Sequence, residues 1–403
     1  MKIEKCIFAM TICLLFIATL NYPVIAKYID DIISNFEDNN PEYLSVSVDN
    51  ELKLLDDYKN ENQIADIADK IEIAETRIIS LEKQYEESDD ILEMISIQMS
   101  IQEQKSNIYD LKHQSLNYTL QQNLDEAYAE ISELMVVQQQ NSLKYELYSS
   151  VNSAIVFEKK VEYYDALEEE KKNYIEIEKS KFKEGYSKQS DINSLNAELS
   201  VIKSEKFNIE TQLDILKEKI RLNSGDEYYS HSIEIQYFSG HCLDEFIEND
   251  YNIPYLTLQI EAYNNHIGNL NSLLDELVME GYEFESAKRI EDNLKNEIKY
   301  SEKYVEKLKL QLEQSKIELE LYVTTLEKNY SVCEKQLESK EHEISSAKEQ
   351  LKIIESMYRE GYARPVDVLS KKTVILKLEA EKTEIEKQMS DYAYILSNNI
   401  INI

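Results

Sequence analysis

The stretch "KFKEGYSKQSDINSL", Lys181–Leu195, breaks a charged helix-forming run with a glycine, in a chain that has only six glycines among 403 residues. The phrase returns as "MYREGYARPVDVLSK", Met357–Lys371, with Gly361 in the place of Gly185. A turn that occurs twice in a chain so poor in turns belongs to its architecture. With Gly185 laid on Gly361, Tyr186 falls on Tyr362, Lys188 on Arg364 and Asp191 on Asp367. Phe182 meets Tyr358, Ile192 meets Val368, and the agreement runs on through Glu205-Lys206 with Glu381-Lys382.

Local physics explains the phrase. A long helix ends well on a residue in the left-handed conformation, where glycine has no Cβ penalty. Ser187 to Asp191 then offers hydroxyls and a carboxylate to the exposed N–H groups of a new helix. Pro365 suits a first helical turn because it has no N–H to leave unpaired. Each phrase therefore predicts a tight helix–turn–helix reversal with Asp191 and Asp367 as caps, and Gly185 and Gly361 at positive φ.

The two halves also open alike, with Asn40-Pro41-Glu42-Tyr43-Leu44 and Ile253-Pro254-Tyr255-Leu256. The layout predicts a first helical repeat over 27–224, a connector over 225–253 and a second repeat over 254–403. Between the turn residues nearly everything is candidate helix. Softer breaks are expected at "YEESDD", Tyr85–Asp90, and "KHQSLNYT", Lys112–Thr119, and further turns at Gly225, Gly240, Gly268 and Gly281.

Composition agrees. Six Gly, four Pro and no Trp, with 30% charged residues, fit long helices with charged outer faces. Hairpin punctuation is nearly absent, which disfavours a strand-rich fold. The fold class read from the chain is all-α, with at most one short strand near 232–238, where "HSIEIQYFSGH" alternates apolar residues. From about Lys288 to Glu360 a long helix carries a seven-residue repeat of Val323, Tyr330, Leu337, Ile344, Leu351 and Tyr358. A second column of Leu326, Cys333, Ala347 and Ile354 has one polar break at Lys340. Such a stripe must be buried against partner helices in coiled-coil fashion.

A net charge of −34 speaks against a nucleic-acid partner, since phosphate binding needs a basic face. Lys2 and Lys5, the apolar run Cys6–Leu20 and the small-residue pattern Val24-Ile25-Ala26 read as an export signal over 1–26. Whether it is cleaved or kept as an anchor stays open. Cys242 and Cys333 remain in the mature chain, and their pairing cannot be read from spacing.

At the two reversals the chain resembles the outer-membrane efflux factor family, the TolC-like exit ducts. Its members have tandem repeats that open on an Asn-Pro-x-Leu-like phrase. Each repeat ends in a reversal of the form aromatic-x-x-Gly-x-x-x-x-x-Asp followed by Val, Ile or Leu. Phe182–Ile192 and Tyr358–Val368 fit that form. The resemblance implies a trimeric α-helical tube whose tips face the adaptor of an inner-membrane pump. It places Gly185, Tyr186, Gly361 and Tyr362 at the tip, with Lys188 and Arg364 as contact residues. Asp191 and Asp367 would then stand near the pore entrance. Family members also carry membrane-spanning strands between their long helices, and no alternating segment of that kind is found here.

No catalytic pattern competes. His113, His231, His241, His266 and His342 show no zinc spacing, and neither a phosphate loop nor a nucleophile elbow occurs, so neither an enzyme nor a cofactor is expected. His241-Cys242 beside His231 is the one metal candidate. The expected function is an exit-duct component of an envelope efflux or secretion system. The alternative is an exported coiled-coil scaffold or adaptor-like protein without a conduit.

Overall fold

The computed structural model describes residues 29, 31–56, 59–225, 227–229, 231–233, 238, 243–279 and 286–401, with the side chains of 52–61 excepted. The expected export signal over 1–26, and Gly240, His241, Cys242 and Gly281, lie outside them. Helix α1 covers residues 31–39. It is followed by α2 (Pro41–Asp56), α3 (Lys59–Glu87), α4 (Ile91–Lys183) and α5 (Gln189–Ser224). The second half holds α6 (Leu243–Asn249), α7 (Asn252–Met279), α8 (Ala287–Arg359) and α9 (Pro365–Ser397). Among the described residues there is no strand. Of the stretch 232–238, residues 232, 233 and 238 are irregular, and 234–237 lie outside the description.

Two compact units form, and each draws on both halves of the sequence. The first takes residues up to Ser45, then Gln140–Cys242 and Tyr322–Ile403; the second takes Val46–Gln139 and Leu243–Leu321. In the first unit, ion pairs zip α4 to α5 (Lys171–Glu198, Lys206–Asp165, Lys217–Glu158) and α8 to α9 (Lys340–Glu381, Lys348–Glu379). Lys160 reaches Glu384, and Tyr148 stacks on Tyr394 at 4.2 Å, so α4 also adjoins α9. Most of these pairs are solvated and set register more than stability. Ile32, Phe36, Leu147, Val151, Ala154, Leu213 and Ile220 supply the apolar core.

The heptad stripe of α8 is covered within its own chain. Val323, Leu326, Tyr330, Cys333, Ile344 and Ala347 are all buried, and Cys333 Sγ lies 4.0 Å from Gln388 of α9. Burial pushes the Cys333 thiol up. Lys340, the polar break, closes the seam by pairing with Glu381 and Glu343. Tyr358, by contrast, is exposed at the end of the stripe.

In the second unit, Tyr109, Leu270, Leu273, Leu277, Ala287, Ile290, Leu294 and Ile298 form one core from α4, α7 and α8. Two expected breaks are absent there. Helix α4 runs straight through Lys112–Thr119, because Leu116 packs on that core and Lys112 pairs with Glu276 at 2.6 Å. The Thr119 hydroxyl donates back to the Ser115 carbonyl, so it stays within the helix instead of ending it. Gly268 likewise sits inside α7, where it costs about 1 kcal/mol relative to alanine. The expected break at Tyr85–Asp90 is present: the Asp90 carboxylate accepts from the Leu92 N–H at 2.8 Å and caps α4.

The opening phrases of the two halves are capped differently. The Asn40 side chain accepts from the Tyr43 N–H at 3.0 Å, whereas α7 is capped by Asp250, which accepts from the Ile253 N–H at 2.7 Å. The second cap therefore precedes Pro254 by a full turn, and Pro254 lies within the first turn of its helix. No helix among the described residues is long and apolar enough to cross a membrane.

Candidate functional site at the helical reversals

Both reversals lie in the first unit and share one geometry. Gly185 has φ 83° and Gly361 φ 82°. The Tyr186 N–H donates to the Lys181 carbonyl at 2.8 Å and the Gly185 N–H to Phe182 at 3.0 Å. At the second reversal Tyr362 donates to Met357 at 2.8 Å and Gly361 to Tyr358 at 3.0 Å. This is the paired long-and-short bonding of a Schellman end, and it satisfies two otherwise orphaned carbonyls. A Cβ at either glycine would meet no atom within 4 Å. A substituted side chain would thus be opposed by backbone strain alone, on the order of 1–2 kcal/mol.

The next helix starts just as regularly. Lys188 (φ −106°, ψ 151°) and Arg364 (φ −92°, ψ 156°) are the extended residues before α5 and α9. The Asp191 carboxylate accepts from the Lys188 backbone N–H at 3.2 Å, and Asp367 accepts from the Arg364 N–H at 2.8 Å. These bonds are one half of a capping box; a lysine or arginine side chain has no acceptor to supply the other half. The backbone bond from Lys188 holds Asp191 below the usual carboxylate range, with smaller help from Ser190 and Ser187. For Asp367 the main cause is the Arg364 guanidinium, which also donates from Nη2 at 2.8 Å and Nε at 3.2 Å.

The two cations are therefore not equivalent. Arg364 is engaged with its cap, so reversing its charge would set two carboxylates side by side. Tyr186 is 81% exposed and Tyr362 77%, and Phe182, Met357 and Tyr358 are also exposed. Each reversal thus presents an exposed aromatic ring to solvent from a hydrogen-bonded helix end, beside a capping carboxylate and a cation.

A second polar cluster escaped the sequence reading. His113 of α4 and His266 of α7 both turn Nε2 to Glu297 of α8, which receives a bond to each carboxylate oxygen, the one from His266 at 3.2 Å. Three helices far apart in sequence build this cluster, so no local spacing could announce it. The two imidazoles, His113 first, hold the Glu297 carboxyl down to about 2 against a smaller desolvation effect. A carboxyl lowered in the folded state adds stability that is complete above its ordinary value near 4.5 and is lost as pH falls through about 2. Wild type should therefore melt above a Glu297→Gln variant at pH 5, and the gap should close on acidification to pH 2. A gap that does not change with pH would contradict this account. Among the described residues no group of three His, Cys, Asp or Glu side chains is placed to hold a metal ion. The candidate His241-Cys242 lies outside the described residues.

No protein-family model matches the chain, and no curated protein matches it in sequence. Solved structures do match. A membrane protein from Pseudomonas aeruginosa aligns with a TM-score of 0.57 and 10% identity over 93% of both chains. The outer-membrane channel OprN gives 0.52 and 12%, over 87% of this chain and 92% of its own. The open-state outer-membrane channel MtrE of Neisseria gonorrhoeae gives 0.51 and 9%, over 92% and 88%.

The chain has the fold of these outer-membrane channels. Identities this low carry architecture and not activity. What is shared is the helical path, matched over nearly the full length of each chain.

Proposed function

We propose that this chain is the protomer of a TolC-like exit duct in an envelope efflux or secretion system. It would act as a homotrimer and dock through its helical tips to the adaptor of an inner-membrane pump. The observation that carries this reading is the pair of matching reversals, each projecting an exposed tyrosine from a rigid helix end, on the fold of outer-membrane channels. Exposed aromatics on an ordered backbone are side chains that anchor protein interfaces, because each has few rotatable bonds to immobilise and much apolar area to bury. Asp191 and Asp367 serve first as caps; three copies of each would also place carboxylates near the entrance of a duct. The cell envelope is the location proposed, with the outer membrane favoured by the shared fold.

The test is a double Tyr186→Ala, Tyr362→Ala variant, with Lys188→Glu added in a second strain. Arg364 is left alone because of its bond to Asp367. Helicity and melting should be unchanged, since these side chains are exposed. Export of a toxic compound and crosslinking to the adaptor should fall about tenfold or more. Normal export and crosslinking by a well-expressed variant would sink tip docking and leave the coiled-coil scaffold as the better reading.

A further inference from the structure

Lysines that lie over aromatic rings recur in this chain. Lys112, Lys144, Lys160, Lys171 and Lys217 each do so, and each also pairs with a glutamate. Lys307 differs. Its ammonium lies 5.4 Å from the centre of the Tyr304 ring, and among the described residues it pairs with no carboxylate. Carboxylates outnumber lysines and arginines by 78 to 44. A cation that rests on a ring instead marks that ring as receptive to positive charge.

The ring is one of three. Tyr300 and Tyr304 stand one turn apart on α8, where side chains four residues apart meet, and their rings stack at 6.2 Å and 18°. Tyr263 of α7 leans on Tyr304 from the neighbouring helix, at 4.6 Å and 41°. Burial first, and then the hydroxyls of Tyr304 and Tyr300, push the Tyr263 hydroxyl up, so this phenol is uncharged at neutral pH. Helix packing accounts for Tyr263 and Tyr304, which are half-buried, but not for Tyr300, which is 65% exposed. The rings present their π-electrons at the surface of a chain with a net charge of −34, whose field raises the local concentration of cations.

We infer that Tyr263, Tyr300 and Tyr304 form a recognition site for a small organic cation of the alkylammonium class, with Lys307 as its built-in competitor. The ring quadrupole attracts such a cation, and quaternary ammonium groups are recognised by aromatic clusters in this way. Lys307 follows Tyr304 by three residues and is exposed, so its ammonium can swing into water to make way. A neutral apolar ligand would cover the same rings but gives no reason for an ammonium to rest there. The site is independent of tip docking: these residues belong to the second unit and the reversals to the first.

The experiment titrates the full chain with choline and, in parallel, with its uncharged tert-butyl isostere, read by saturation-transfer NMR of the ligand methyl groups. Choline should bind and the isostere should not. A Tyr300→Leu, Tyr304→Leu variant should keep its circular dichroism and bind choline about fivefold or more weakly. Tyr300→Phe, Tyr304→Phe keeps the rings and should keep the binding. Lys307→Gln removes the competitor and should tighten binding roughly two- to threefold. If the double leucine variant does not fold, Tyr300→Leu alone decides, since that ring is exposed; it should weaken binding about twofold or more. No choline binding would overturn the proposal, as would equal binding of the isostere, undiminished binding to the leucine variants or weaker binding to Lys307→Gln. Flotation with phosphatidylcholine vesicles, lost in Tyr300→Leu, would assign the ammonium to a lipid headgroup. Choline binding without flotation would assign it to a soluble cation.

Discussion

Replacing Lys387 with Met should destabilise the protein by about 3–5 kcal/mol at neutral pH, the range for removing one partner of a buried ion pair. Lys387 Nζ lies 2.5 Å from Asp391 Oδ2 and donates to the Ser149 hydroxyl at 3.0 Å. Ser149 donates to the same carboxylate oxygen at 3.1 Å, tying α9 to α4 beside the Tyr148–Tyr394 stack. The Asp391 side chain is only 9% exposed, and burial raises its carboxyl above the ordinary 3.8, with Lys387 the largest opposing influence. Methionine has the length to fill the space but cannot neutralise the charge. The pH dependence identifies the cause. A carboxyl raised in the folded state binds its proton more tightly there, so its penalty is absent below about 3.8 and grows as pH rises through the folded value. Without Lys387 that value rises further. The variant should therefore lose most at pH 7 and much less near pH 4, as measured by urea unfolding at both. Asp391→Asn in the same background should restore part of the loss. An equal loss at both pH values would mean that the lysine stem, not its charge, matters.

Which of these features sequence could reveal follows from how locally each is encoded. The reversals were fully legible. Gly185, Gly361, Asp191 and Asp367 act within one turn of their own position, so their identities carry the Schellman ends and the caps. The heptad columns of α8 were legible as a buried face, but not the identity of the cover: the same stripe would suit a second copy or a neighbouring helix, and α9 provides it. The expected break at Lys112–Thr119 failed because its polar residues favour breaks only where nothing packs against them, and Leu116 and the Lys112–Glu276 pair decide otherwise. His113, His266 and Glu297 were invisible as a group because they meet only after three helices assemble. The same holds for the pair of cations. Lys188 and Arg364 occupy one register, yet only the guanidinium can fork onto its Asp367 cap.

The second large effect is expected at Phe246, where Phe246→Ala should lower stability by about 3–5 kcal/mol, the usual range for emptying a buried aromatic site. Helix α6 has seven residues, too few to persist by its own hydrogen bonds, so tertiary packing must hold it. Phe246 is its one buried side chain and is fully enclosed. The backbone that follows depends on that anchor. The Asp250 N–H donates to the Phe246 carbonyl at 2.9 Å, and the Asp250 carboxylate then caps α7 through Ile253. Asn249 is tied to α4 by a 2.8 Å bond from Gln138. Alanine would leave a cavity that α6 can relieve only by lifting away, freeing the cap of α7 with it. The loss should therefore be local at first. Amide exchange should speed up over residues 243–253, while Leu270, Leu277 and Leu294 in the core of α7 and α8 keep their protection. Uniform loss of protection across the second unit would show instead that α6 is part of its cooperative core, and an unchanged melting temperature would show that Phe246 anchors nothing.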